Sequence, residues 1–153
     1  MSRRTRGGTL DFLLADLPPG TGDVHLSIIG ELKIDAAVSV STPQQVAVAD
    51  VVRGVEMFRN ENVHIPVAGI IENMAWFTPA ELPENRYYLF GRGGARAYAE
   101  QSGVEFLGEI PIVQSIMESS DEGLPAVATQ PAVEACYREI AGRIVACVMK
   151  QAQ

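Results

Sequence analysis

Four short apolar runs recur along the chain: Phe12-Leu13-Leu14-Ala15, Ala36-Ala37-Val38-Ser39-Val40, Val67-Ala68-Gly69-Ile70-Ile71 and Phe106-Leu107-Gly108-Glu109-Ile110. The first three are almost wholly apolar and do not alternate. That pattern suits strands covered on both faces, as in a parallel sheet. Segments of helical spacing separate the runs, so the rhythm predicts β-α-β-α-β-α-β-α. Thr42-Pro43-Gln44-Gln45 reads as an N-cap, an N1 proline and a capping-box glutamine. Val48, Val52, Val55 and Phe58 then form one apolar stripe. A shorter helix is predicted from Gly93 to Ser102, closed by Gly103. The last helix is predicted from about Ala132 to Met149. Val133, Cys136, Ile140, Ile144 and Val148 line its core face, and Glu134, Arg138 and Arg143 point outward. Thr78 to Phe90 carries Pro79 and Pro83, has no clear period and reads as a surface loop. No internal repeat or linker divides residues 1–153, which read as one domain.

Composition narrows the picture. A chain of 153 residues is long enough to bury a sizeable core. With 47% hydrophobic and 20% charged residues it is not a disordered sequence. No apolar run approaches the roughly 20 residues of a membrane span. The basic start, Arg3-Arg4-Thr5-Arg6, is not followed by a secretory apolar region, because Asp11 and Asp16 interrupt it. A net charge of −7 argues against a broad nucleic-acid surface. Cys136 and Cys147, in a chain without a signal peptide, read as reduced thiols of a cytoplasmic protein.

The chemistry concentrates in Leu10-Asp11-Phe12-Leu13-Leu14-Ala15-Asp16-Leu17-Pro18-Pro19-Gly20-Thr21-Gly22-Asp23. A predicted buried strand ends in an aspartate, followed at once by Pro-Pro-Gly-Thr-Gly. Open α/β sheets bind ligands beyond the carboxyl ends of their strands. An aspartate there can hold Mg²⁺ through water. The prolines stiffen the turn, and the glycines let backbone N–H groups approach an anion. An isolated strand–Asp–Pro would more simply be a turn cap; the full D-L-P-P-G-T-G-D string is far more specific.

That string closely resembles the switch region of the Mrp/ApbC family of P-loop ATPases, the iron–sulfur cluster carriers related to cell-division and plasmid-partitioning ATPases. The resemblance continues, in the family's order, through Ser41-Thr42-Pro43-Gln44-Gln45-Val46-Ala47-Val48-Ala49-Asp50, Gly69-Ile70-Ile71-Glu72-Asn73-Met74, Phe90-Gly91, Phe106 to Pro111, and Asp121-Glu122-Gly123-Leu124-Pro125. It implies that Asp16 is the Mg²⁺- and water-associated catalytic aspartate. Pro18 to Gly22, with Gly20 and Thr21 between them, would be the switch that senses the γ-phosphate. Asn73, ending the third strand, would bond the adenine edge, and Pro111, after the fourth, would lie against the base. ATP and Mg²⁺ are the implied cofactors, with a homodimer and an iron–sulfur acceptor or other protein as partners. Nucleic acid and membrane are not expected. Thr42 reads first as a helix cap, and Gly91-Arg92-Gly93-Gly94 as a helix start rather than a phosphate loop. His25 and His64 have no ligand-spaced partner and read as structural or surface residues.

Two departures from the family stand out. No G-x-x-x-x-G-K-S/T loop occurs, and the lysines are Lys33 and Lys150. That loop supplies the phosphate cradle. In the family it lies upstream of the D-L-P-P-G-T-G-D string, so Met1 reads as falling mid-helix and the chain as the C-terminal portion of an ATPase domain. The expected fold is α/β, a partial doubly wound, mostly parallel sheet of the P-loop type without the Walker A strand. In the family's topology that strand lies between Phe12–Ala15 and Ala36–Val40. Phe12–Ala15 then either pairs directly with Ala36–Val40 or leaves a gap. The second departure is the missing C-x-x-C after Asn73-Met74. Cys136 and Cys147 stand roughly 16 Å apart along a helix and read as core residues, not cluster ligands. The loop in its place offers Trp76, Phe77, Tyr87 and Tyr88, suited equally to a protein interface and to a self-packed hairpin.

These observations favour an ATP-binding carrier of iron–sulfur clusters, represented by the portion bearing switch and base site. This chain alone is not expected to hydrolyse ATP or to hold a cluster. Two alternatives stand beside it. One is a partitioning or cell-division-type positioning ATPase, disfavoured because the last helix lacks a basic, aromatic membrane face. The other is an interaction module that has lost nucleotide chemistry.

Overall fold

The computed structural model describes residues 9–18, 23–79, 81–113 and 131–151, with 116, 119, 121–125 and 127. The described elements run α1 (Asp23–Glu31), β1 (Ala37–Ser41), α2 (Gln45–Arg59), β2 (Val67–Phe77), α3 (Gly94–Ser102), β3 (Phe106–Ile112) and α4 (Pro131–Gln151). The strands form a parallel sheet in the order β1-β2-β3. The α/β, parallel architecture expected from the apolar runs is therefore present.

Helices cover both faces because β2 is apolar on both. Ile70 packs with Val51 and Val55 of α2 and with Ala95 and Ala99 of α3. Ile71, its neighbour on the opposite face, packs with Leu107, Ile110 and Ile140 of α4. Close approach needs a missing side chain at Gly69, where a Cβ would fall 2.4 Å from Leu107 Cγ. A third cluster, Ala37, Phe58 and Ile65, gathers Leu17, Ile29 and Ile34 at the amino end of β1. Among the described residues no helix is long and apolar enough to cross a membrane.

α4 follows the predicted stripe: Val133 and Ile140 are buried, and Cys136, Ile144 and Val148 are half-buried. α3 closes as expected on Gly103, in the left-handed conformation at φ 66. The start of α2 differs. Its N-cap is Gln44, without a side-chain cap bond, and Thr42 Oγ1 instead donates to Gln44 Oε1 at 3.3 Å. Pro43 is buried under α3 and belongs to the loop, so it cannot open the helix. The buried stripe of α2 runs through Val51, Val55 and Phe58 rather than Val52.

The largest correction concerns Phe12–Ala15. This run is not a strand and is not buried: Leu13 is 78% and Leu14 90% exposed. Apolar patterning supplies a driving force but no hydrogen-bonding neighbour. Among the described residues no strand lies beside this run, and it does not pair with β1. Asp16 consequently lies in a segment without regular secondary structure rather than ending a strand. Asn73 lies inside β2 and Pro111 inside β3, because both strands run past the family-like blocks.

Candidate functional site

Regular pairing of β2 with β3 stops at Asn73 opposite Ile110, and the next pair is Phe77 with Ile112. Met74, Ala75 and Trp76 therefore bulge out opposite Pro111, which has no N–H with which to continue a ladder. Met74 takes a left-handed conformation, φ 55, unusual for a non-glycine residue. Its N–H donates to Asn73 Oδ1 at 2.9 Å. The Asn73 side chain is thus turned back on the kink. Among the described residues its Nδ2 protons meet no acceptor, and one lone pair of Oδ1 is unused.

Beside it, Glu72 is 1% exposed. Its Oε1 accepts the Gly93 N–H at 3.1 Å and its Oε2 the Ala95 N–H at 2.8 Å. These are orphan donors of the first turn of α3, where anions bind well. Gly91-Arg92-Gly93-Gly94 is accordingly a helix start whose anion is the protein's own carboxylate. Gly93 sits at φ 67, which favours glycine. At Gly94 a Cβ would fall 2.2 Å from the Pro43 carbonyl, so the same turn presses on the loop between β1 and α2.

A groove of about 700 Å³ runs along the outer edge of β1 from Val38 to Thr42. Its other walls are α2, through Ala47, Asp50, Arg53 and Gly54, together with Leu17, Pro18, His25 and Asn73. Asp50 and Arg53 form an exposed ion pair. His25 is 5% exposed and its Nε2–H donates to the Pro18 carbonyl at 2.7 Å. Its Nδ1 is buried and has no partner among the described residues. The residue at the head of the switch string is thereby tied to α1.

The groove brings Pro18 and Asn73 together. Asp16 is exposed and Pro111 half-buried, and neither lies on the groove wall. Gly20, Thr21 and Gly22 lie outside the described residues. His25 is structural, one of the two readings its sequence allowed, though its partner was not legible; the part of Glu72 was missed. A lone acid inside an apolar strand run signals a buried, partnered carboxylate, whereas one histidine on a short helix carries no such signal.

The donor sets can be tested against the implied groups. An amide with free donors and an acceptor matches the adenine N6/N7 edge. A single carboxylate such as Asp16 suits Mg²⁺, which keeps most of its waters. Among the described residues no three His, Cys, Asp or Glu converge on one point. Cys136 does not suit a cluster. Its Sγ donates to the Glu109 carbonyl at 2.9 Å, and burial, then the charges of Glu139 and Glu109, push the thiol pKa up. Cluster ligands are thiolates.

Past Phe77 the chain returns as a hairpin, with Phe77 and Tyr87 exchanging two backbone hydrogen bonds of 2.8 Å. Arg86 stacks on Trp76 at 4.3 Å and Arg92 on Tyr88 at 4.7 Å.

Residues 1–145 match the family model described as ParA, the NUBPL iron-transfer P-loop NTPase. An iron–sulfur protein required for NADH dehydrogenase, mitochondrial, from Arabidopsis thaliana is 43% identical over 95% of this chain and 47% of its own length. An iron–sulfur cluster carrier protein from Aquifex aeolicus is 48% identical over 83% of this chain and 34% of its own. Among solved structures, a nucleotide-binding protein from Archaeoglobus fulgidus in complex with ADP superposes with a TM-score of 0.68 at 42% identity. That match covers 78% of this chain and 48% of the other. The chain spans about half the length, or less, of the relatives it matches.

Proposed function

The chain belongs to the ParA family of NUBPL-type iron-transfer P-loop NTPases, and from that membership we propose that it is the switch- and base-bearing part of an ATP-dependent iron–sulfur cluster carrier. Asn73 reads the adenine edge and Pro111 lies against the base. Asp16 holds Mg²⁺ through water, and Pro18, Gly20, Thr21 and Gly22 follow the γ-phosphate. ATP turnover in a homodimer drives delivery of the cluster, as cargo, to an acceptor protein in the cytoplasm. The iron–sulfur carriers among its relatives and the ADP-bound structural neighbour support this reading.

The observation that carries it is Asn73, the last residue paired before the kink at Met74, on the wall of the groove and with no partner for its amide donors among the described residues. Trp76, the single tryptophan, lies three residues away and reports binding by fluorescence. ADP should bind this chain more tightly than GDP, because guanine presents an acceptor, O6, where adenine presents a donor. Asn73→Ala should weaken ADP binding by about 1–3 kcal/mol. Equal affinities of wild type for ADP and GDP would remove the adenine-reading role. With no lysine in a glycine-rich turn, this chain alone should release phosphate from ATP only at background. Turnover abolished by Asp16→Ala would overturn that expectation.

A further inference from the structure

The base-site reading leaves Glu72 without a part in binding, yet among the described residues it is the buried carboxylate whose two oxygens are both taken at the carboxyl edge of the sheet. It is buried on β2, directly before Asn73, and both its oxygens are taken by backbone N–H groups of another element. A buried carboxylate that spans two amides fixes their separation and direction, because each charge-assisted bond is short and directional. The amides belong to Gly93 and Ala95. Gly94, between them, is packed so tightly on the Pro43 carbonyl that a methyl group has no room. Thr42, next to Pro43, lines the same groove as Asn73. One carboxylate therefore locks three loops to one another: the kinked end of β2, the turn into α3, and the turn from β1 into α2.

We propose that Glu72 is the positioning residue of the base site: by clasping the first turn of α3, it holds Asn73 and the Thr42–Pro43 loop in the relative geometry that adenine requires. This rests on the reading of Asn73 as the adenine-binding amide. Glutamine at 72 keeps the size but replaces one acceptor oxygen with a donor amide. It can satisfy one of the two N–H groups and opposes the other. Aspartate keeps both oxygens on a side chain one methylene shorter and cannot reach both amides from the same backbone.

The test compares ADP with GDP on the whole chain. Wild type should prefer ADP. Glu72→Gln and Glu72→Asp should each lose about tenfold of that preference, the worth of one charge-assisted hydrogen bond, at temperatures where circular dichroism shows the variant folded. A simple packing role would weaken both nucleotides alike and leave the ratio unchanged. A second measurement needs no variant. ADP should slow hydrogen exchange at the Gly93 and Ala95 amides of wild type, whereas GDP should not. An unchanged ratio in a folded variant, or exchange at those amides indifferent to ADP, overturns the proposal. The outcomes also separate the two claims. If Asn73→Ala abolishes the preference and Glu72→Gln does not, the clasp fails alone. If wild type shows no preference, the base-site reading fails and the clasp with it.

Discussion

The two outer strands of the sheet make an instructive pair. β3 is sealed: Leu107 is fully buried, Ile140 of α4 lies against the backbone of Gly108, and α4 side chains reach the strand's carbonyls. Arg143 donates to the Phe106 carbonyl at 3.1 Å and Cys136 to that of Glu109 at 2.9 Å. β1 has no strand paired along its outer edge among the described residues. Val40 is 57% exposed, and α4 packs chiefly on β3 and then on β2. The apolar run Phe12–Ala15 is exposed as well. Both strands come from short apolar runs. What separates them is the supply of partners for backbone as well as side chain, since a strand is buried only where its N–H and C=O groups are also met.

The contrast can be broken most directly at Leu107. Leu107→Ala should cost about 3–5 kcal/mol in urea unfolding, transfer plus cavity. Leu13→Ala should cost less than about 0.5 kcal/mol, as for an exposed site. A comparable loss at Leu13 would show that the open side is packed in solution. Gly108→Ala should come next. A Cβ there would meet Ile140 Cγ1 at 2.8 Å, and φ is +153°, so overpacking of about 1–3 kcal/mol is expected. Combining it with Ile140→Val should recover part of that loss, which a double-mutant cycle measures.

A subtler mark of sealing is the Cys136 thiol. Burial raises its pKa, followed by the charges of Glu139 and Glu109. The group is neutral in the folded state to a higher pH than in the unfolded chain. Its contribution to stability is therefore complete below the ordinary thiol range and is lost as pH rises through the raised value. Melting temperature should fall more steeply above the ordinary thiol range in wild type than in Cys136→Ala; parallel curves would deny the coupling. The smallest effect on stability is expected on the open side. Leu13→Lys with Leu14→Lys should leave unfolding unchanged within about 0.5 kcal/mol while reducing light scattering at high concentration, because it removes exposed apolar surface.

The same contrast explains what the sequence disclosed. Val67–Ile71 and Phe106–Ile110 are strands as read, and the middle of the α4 stripe, Cys136, Ile140 and Ile144, faces the sheet as its spacing required. Phe12–Ala15 has as strong a pattern, but pattern says nothing about which neighbour a strand needs. At the site, Asn73 was legible through a family-like string. Its kink at Met74 was not, because the bulge depends on Pro111 standing opposite, a pairing between distant segments. The same holds for His25, whose partner is a backbone carbonyl with no sequence signature, and for Glu72, which binds backbone amides of α3.

The order of the strands also bears on how the molecule is made. Each strand's neighbour in the sheet is the next strand in the chain, joined through residues 42–66 and 78–105. Closing loops of such similar length carries nearly equal entropic cost at each step. The sheet can therefore assemble strand by strand in the order of synthesis, β1 waiting for β2 and β2 for β3, each parallel pairing delayed until the crossover helix between the strands has been made. Among the described residues, growth runs only away from the outer edge of β1, so the sheet lengthens in one direction as the ribosome extends the chain.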